Sequence, residues 1–479
     1  MKIVGFQSGH DVSYCVLDNG VPVIHEELER FIRLKEPWGC GLQMFKDYST
    51  EKDVDLFVMG NPKSHDPIDG EYTEYPHHLS HAASAFFSSN FNEAIVFTID
   101  GGGYEVDSAT AFAVHEGKDN KITTKHAYHI DRLNIGTVWS KATKDIFGLS
   151  NGFPHGHQAG TVMAMAAAGK GDAYTDAFLE WMYHPRNLTP RLTGEPFDIA
   201  DGLQQATEHI VRRTMEQWIG EHEYVCLSGG VVLNSVLVGK MYDWFPQIKS
   251  IFVDPVPYDA GLALGAAQYH WHHVLGNQRI TWSDNASPYL GRTYTEGIPD
   301  GRTVTDAEVI DLLTQGNIVS VFGGGSESGR RALGNRSILA DPRNKDMKDI
   351  INEKVKHRQW FRPFAPSILR EHVKDWFTKD VDSPYMSVVL TWKTPEKVPA
   401  VVHFDNTARL QTVTENDNKW YYNFIKQFGE KTGVPILLNT SFNDREPIVE
   451  TPEDAVNCFN KTNIDYLYFR DIHTLIERT

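Results

Sequence analysis

Three times in its first half the chain runs an apolar, β-prone segment straight into a polar or glycine-rich turn. Lys2–Phe6 alternates apolar residues, the turn around Gly9-His10-Asp11 breaks it, and Val12–Leu17 resumes. Asp18-Asn19-Gly20 then supplies a hairpin turn before Val21–Ile24. Further on, Ala94–Ile99 ends in Asp100-Gly101-Gly102-Gly103, and a partner strand is expected over Ala109–His115. Tyr224–Asn234, YVCLSGGVVLN, drives a third apolar strand into Gly229-Gly230. A plain hairpin has no need of an acid followed by three glycines. Glycines let backbone N–H groups point at an anion, and an Asp beside them can hold a metal ion or a water.

Used repeatedly, that arrangement is how nucleotide-handling folds of the actin and sugar-kinase type hold phosphates. The expected class is therefore α/β. The stretch after Ser250 reads as a strand, a loop around Asp259, and a helix of small residues. No internal repeat stands out.

Tyr75–Phe87 reads YPHHLSHAASAFF. Pro76 suits the first position of a helix, where its missing N–H costs nothing, and the alanines continue it. His77 and His81, four apart, share one helix face, whereas His78 points about 100° away. The pair can close on one metal ion if an acidic ligand arrives from elsewhere. By spacing alone the reading favoured is the plainer one, that one or two of these are ordinary core or surface histidines.

A chain of 479 residues exceeds one core, so two or three domains are expected. Residues 276–303 are rich in Gly, Pro, Asn, Asp and Thr and read as a linker, which puts the boundary near 295, with domains 1–295 and 296–479. A net charge of −17 is unsuited to gripping a polynucleotide backbone but compatible with a single nucleotide. The four cysteines have no C-x-x-C spacing, which fits a reducing cytoplasm. The N-terminus lacks a signal-peptide core, and no apolar run is long enough to span a membrane.

Glu327–Arg362 inverts the overall charge, with ten cations against five acids. Lys345 and Lys348 read as solvated surface. Arg331, Arg336, Lys356, Arg358 and Arg362 sit beside glycines, Asn335, Ser337 and Trp360-Phe361, which suggests burial, and a buried arginine needs an anion. Arginine grips phosphate through paired hydrogen bonds. Two later segments, HFDNTARLQTV (403–413) and VPILLNTSFNDREPIV (434–449), are β-prone and studded with Asn, Thr and Ser. The side chains of Asn439, Ser441 and Asn443 can bind backbone, adenine or phosphate, or simply close a polar turn.

On the blocks HHLSHAASAF (77–86), LSGGVVLNS (227–235), DAGLALGAA (259–267), ESGRRALGNRSILADPR (327–343), VKHRQWFRPFAP (355–366) and LLNTSFNDREPIVETPEDA (437–455), the chain resembles the ATP-dependent O-carbamoyltransferases. The family includes nodulation-factor and antibiotic-tailoring enzymes, and the resemblance runs nearly end to end. It implies an N-terminal actin-like (ASKHA) domain of two subdomains and a C-terminal YrdC-like α/β domain. The second would make carbamoyl-adenylate from carbamoyl phosphate and ATP. The first would pass the carbamoyl group to a hydroxyl of a glycoside, a natural product or a hydroxymethyl nucleotide. The resemblance further implies a divalent metal on His77, His81 and Asp259, Fe(II) first, with Mg or Mn as alternatives. Asp100, Gly101, Gly102, Gly229, Gly230 and Asn234 would face the adenylate. Arg331, Asn335, Arg336, Ser337, Lys356, Arg358, Arg362, Asn439, Ser441 and Asn443 would hold carbamoyl phosphate and ATP. His10, Asp11 and Arg331 are the expected catalytic residues, with His10 the base, its ordinary pKa suiting proton transfer near neutrality. His78 receives no role, and the oligomeric state stays open, a homodimer included.

Two departures stand out. The family's Gly-Pro-Arg-Ala-Leu-Gly is Gly329-Arg330-Arg331-Ala332-Leu333-Gly334 here, and the Arg-Met-Glu before it is Gly325-Ser326-Glu327. Arg330 is the expected replacement for the missing arginine. Competing readings are an actin-fold sugar kinase, which leaves the second half unexplained, and a nucleotide-binding regulator without catalysis, which leaves the intact polar constellations unexplained.

Overall fold

The computed structural model describes residues 1–62, 68–105, 108–149, 158–281 and 287–478, and the chain divides into two compact units. The first takes Met1–Glu29 and Glu36–Pro288, the second Arg30–Lys35 and Tyr289–Thr479. The second unit thus begins at Tyr289 and takes in a short segment from far upstream. Composition marks a linker but cannot show that Arg30 donates to the carbonyls of Glu327 and Gly329 at 2.8 and 2.7 Å, or Arg33 to those of Pro447 and Ile448.

The first unit holds two five-stranded sheets. One comprises β1 (Lys2–Gln7), β2 (Ser13–Asp18), β3 (Val21–Glu27), β4 (Leu56–Met59) and β5 (Thr73–Glu74) in the order β3-β2-β1-β4-β5. The other comprises β6 (Glu93–Tyr104), β7 (Ala109–Lys118), β8 (Lys121–His129), β9 (Tyr224–Ser228) and β10 (Ser250–Val253) in the order β10-β9-β6-β7-β8. In each, three strands form an antiparallel meander and the fourth runs parallel on the free side of the first. The same topology therefore occurs twice, as in the actin-like fold, although no repeat is legible in the sequence. Strand order constrains only apolar periodicity and turns, which many unrelated sequences satisfy.

The expected hairpin is present, with Asn19 and Gly20 both at positive φ, 49° and 86°, as a type I′ turn requires. The Asp100–Gly103 segment differs from expectation. It does not end its strand: β6 runs on to Tyr104, with the register against β7 shifting between Ile99 and Gly103. The glycines form an irregularity within a strand, not a connecting turn.

Two buried helices join the sheets. In α1 (His77–Ser88), Ala82, Ala83, Ala85 and Phe86 pack with Val96 and Cys226 of the second sheet. In α2 (Leu262–Gln268), Ala263, Leu264, Ala266 and Ala267 pack with Ile3, Cys15, Leu17 and Val58 of the first. Small residues let the backbones meet: a Cβ on Gly265 would stand 1.9 Å from the Ser80 carbonyl oxygen. Pro76 is the cap of α1 rather than its first residue.

The second unit is α/β, as expected. Its mixed sheet comprises β11 (Arg302–Thr303), β12 (Val319–Phe322), β13 (Arg336–Ala340), β14 (Ala365–Leu369), β15 (Val388–Thr391), β16 (Thr407–Val413), β17 (Ile436–Ser441), β18 (Tyr466–Phe469) and β19 (Thr474–Glu477). Their order is β11-β19-β18-β12-β13-β17-β14-β16-β15. Tyr421, Phe424, Ile425 and Phe428 of α3 (Lys419–Thr432) pack into the core that this sheet lines with Val319, Leu339, Val413 and Leu437. Among the described residues no helix is long and apolar enough to cross a membrane.

Candidate active site

At the start of α1 the first unit gathers four metal-type ligands. His77, His81, Asp100 and Asp259 each offer an atom within 4.8 Å of the others. His81 Nε2 lies 3.5 Å from Asp100 and 3.6 Å from Asp259, and His77 Nε2 lies 3.9 Å from Asp259. Both histidines are fully buried. Neither nitrogen of His77, nor Nε2 of His81, has a hydrogen-bond partner among the described residues, whereas His81 Nδ1 meets Ser228 Oγ at 3.2 Å. Buried polar atoms are rarely left unsatisfied without a functional reason. Two imidazoles with two carboxylates suit a divalent first-row ion, so the residues fit the implied metal.

Each ligand is braced. A Cβ at Gly103 would lie 2.0 Å from His77 Cγ, so only glycine leaves room for that ring. Asp100 accepts from the backbone N–H groups of Gly101 and Gly230, the latter at 2.6 Å. Beside Asp259, the carbonyl of Ala260 meets Ser13 Oγ at 2.8 Å and His25 Nε2 at 2.9 Å, and Tyr258 donates to Glu27 at 2.7 Å. Asp100, expected to face adenylate, thus stands with the metal ligands. His78 is structural: its ring nitrogens meet Thr98 Oγ1 at 2.8 Å and the Thr110 carbonyl at 2.9 Å.

The charges within this group act on one another. Burial pushes His77 down to about 4, outweighing the pull of Asp259. Burial also works against His81, but Asp100 and Asp259 win and raise it to about 9. Burial alone would raise Asp100, yet His81 and the Gly230 N–H hold it well below the usual carboxylate range. A ligating imidazole is neutral, so metal binding here would release the His81 proton.

His10 stands at the edge of the same group. Gly9 at φ 103° and Asp11 at φ 53° shape its turn. His10 Nδ1 meets Asp11 at 3.0 Å and Nε2 lies 3.4 Å from Asp259. Burial disfavours its charge, but Asp259 and Asp11 outweigh that and raise it to about 10. Of the expected adenylate contacts, Gly229 at φ 94° passes so close to Ile99 that a Cβ would stand 2.2 Å from its carbonyl oxygen. Gly101 accepts from Asn134 and Thr137, and Gly102 lies beside it in β6 at φ 140°. Asn234 caps the following helix at Leu237 N and donates to Gln204.

In the second unit much of the RALGNRS block serves its own loop. Glu327 Oε1 accepts from the backbone N–H groups of Leu333, Asn335 and Arg336 at 2.7, 2.8 and 3.2 Å. Arg336, expected to hold phosphate, is fully buried over the Phe322 ring and donates to the carbonyls of Gly323, Gly324, Asn335 and Arg292. Lys356 donates to both Ser441 and Asn443 and so pins the NTSFN turn. Ser337 Oγ accepts from Gly334 N, and Asn335 bridges Gly325 and Asn418. Asn439 donates to Ala332, Ser367 and Gln411, leaving its Oδ1 buried without a partner among the described residues.

The remaining cations disfavour one another's charge, Arg358 while also donating to Asn352 Oδ1 at 2.8 Å. Arg409, absent from the expected set although it lies within HFDNTARLQTV, has its charge disfavoured by burial and then by Arg331, Arg358 and Arg362. Its Nε has no partner among the described residues. Arg358 is likewise disfavoured by burial and by Arg362, Lys356 by burial and then Arg358. Like charges brought together, most of them half-buried, are tolerated where an anion joins them.

Residues 45–191 and 183–268 match the family model described as Carbamoyltransferase N-terminus, and residues 310–476 match Carbamoyltransferase C-terminus. An uncharacterized protein of Synechocystis sp. is 36% identical over 82% of this chain and 74% of its own length. Nodulation protein NolO of Bradyrhizobium diazoefficiens is 33% identical over 82% of this chain and 77% of its own. Among solved structures, HypF of T. kodakarensis aligns with a TM-score of 0.37 at 16% identity, covering 57% of this chain and 48% of that one. The family matches make the protein a transferase enzyme. It belongs to the carbamoyltransferase family.

Proposed function

We propose that this carbamoyltransferase is an ATP-dependent O-carbamoyltransferase that works in two steps. In the second unit carbamoyl phosphate and water give carbamate and phosphate, and carbamate attacks the α-phosphorus of ATP to give carbamoyl-adenylate and pyrophosphate. In the first unit an acceptor hydroxyl attacks the carbamoyl carbon, and AMP leaves. The observation that carries this reading is the pairing, in one family member, of a buried metal-type group in one unit with a half-buried arginine cluster in the other.

Arg331, Arg358, Arg362 and Arg409 neutralise the phosphates and orient them, and Lys356 and Arg336 hold the loops that carry them. His77, His81, Asp259 and Asp100 hold the metal, and the glycines beside Asp100 face the adenylate. When bound, a divalent ion, Fe(II) being the expected one, would polarise the carbamoyl carbonyl and offset the carboxylate charge that otherwise keeps His10 protonated. His10, oriented by Asp11, takes the acceptor proton, a contribution of roughly two to four orders of magnitude.

The test is to supply carbamoyl phosphate, ATP and a panel of hydroxyl compounds, then measure pyrophosphate, AMP, ADP and carbamoylated product. Arg409→Ala is expected to lose pyrophosphate release while retaining bound metal. His81→Ala is expected to retain pyrophosphate release and lose both metal and transfer. Turnover to ADP without need of carbamoyl phosphate would refute the scheme in favour of a kinase.

A further inference from the structure

Trp38 is 61% exposed, an unusual setting for the largest apolar side chain. Single exposed apolar residues are common and need no explanation. This one differs in where it is held. The backbone of Gly39 forms an isolated antiparallel bridge with Gly9, with N–H to carbonyl bonds of 2.9 Å in both directions. Gly41 N donates to Ser8 Oγ at 3.0 Å. The loop carrying Trp38 is therefore tied to the turn carrying His10 by three hydrogen bonds. The indole and imidazole centroids lie 6.4 Å apart at 45°. The side chain proposed to take the acceptor proton thus has an accessible aromatic face beside it, on a loop tied to its own turn.

We propose that Trp38 is the platform on which the acceptor stacks, and that it selects acceptors whose reacting hydroxyl sits on a ring with a flat, uncharged C–H face, such as a sugar ring. This rests on the carbamoyl-transfer reading above. A ring in van der Waals contact with the indole lies about 3.5–4.0 Å from it, so a hydroxyl at the ring's edge comes within reach of His10. An open-chain alcohol has no face to offer and must lose rotamer freedom to bind.

The test compares wild type, Trp38→Ala and Trp38→Phe, each confirmed as folded by its thermal transition. Saturation-transfer NMR with methyl α-glucoside and with sorbitol reads binding without any turnover. Wild type and Trp38→Phe are expected to contact the ring protons of the glucoside, and Trp38→Ala to lose that signal. In turnover, Trp38→Ala is expected to raise KM for ring acceptors about ten-fold or more, by a larger factor than for sorbitol, with kcat changed less. No glucoside binding to wild type, equal binding to wild type and Trp38→Ala, or equal KM changes for ring and open-chain acceptors would each overturn the proposal. Ring binding that depends on Trp38 without any carbamoylated product would leave the platform standing and sink the transfer reading instead.

Discussion

Gly103→Ala places one methyl group against a metal-ligand ring. The new Cβ would stand 2.0, 2.3 and 2.5 Å from Cγ, Cδ2 and Cβ of His77. Restoring ordinary contact at about 3.4 Å requires the ring to retreat by about 1.4 Å. Rotation about χ1 cannot achieve this, because His77 Cβ is itself in the clash, so the first turn of α1 must shift. That turn is fully packed, and overpacking of this kind costs about 1–3 kcal/mol. Moving a ligand nitrogen by so much should weaken metal binding about 10–100-fold, the usual range for lost ligand support. Gly160→Ala is the control, since a Cβ there meets nothing within 4 Å and the residue lies in a helix, where alanine is favoured by about 0.5–1 kcal/mol. Urea denaturation reads the first effect and elemental analysis of the purified protein the second. A Gly103→Ala protein with wild-type stability and metal content would show that the His77 ring is not confined as described.

Three further outcomes are expected. Burial lowers His115 to about 3 while the unfolded chain's histidine stays near its ordinary 6.5, so the unfolded state takes up the proton first and stability falls as pH drops below 6.5. This contribution should reach about 2 kcal/mol by pH 5, and urea midpoints of His115→Gln should show a correspondingly flatter acid limb than wild type. Glu327→Ala leaves three buried N–H groups without an acceptor, at about 1–3 kcal/mol each, and should unfold or strongly destabilise the second unit, whereas Glu327→Gln, which keeps an acceptor oxygen, should be milder by proteolysis or calorimetry. Lys356→Met strips a charged donor from Ser441 and Asn443, so it should lower the melting temperature as well as pyrophosphate release; loss of activity with an unchanged melt would place the lysine on the substrate rather than on the turn.

Sequence alone determined what depends on near neighbours. The type I′ hairpin at Asn19-Gly20 follows from two residues that tolerate positive φ. The shared face of His77 and His81 follows from helical spacing, and the small residues of 260–267 announce close backbone packing. The basic island was legible as a local excess of arginine, but not its division of labour. Only tertiary structure decided that Arg336 and Lys356 spend their hydrogen bonds on the protein's own loops, while Arg409, from a strand distant in sequence, joins Arg331, Arg358 and Arg362. It also brought Asp100 to the two histidines, gave His78 to Thr98 and Thr110, and made two sheets of one topology from segments without visible similarity. The reason is common to all of these. Periodicity and turn chemistry act over a few residues, whereas the satisfaction of a buried charge or donor depends on whatever the packed fold brings within about 3 Å, and that partner can lie anywhere along the chain.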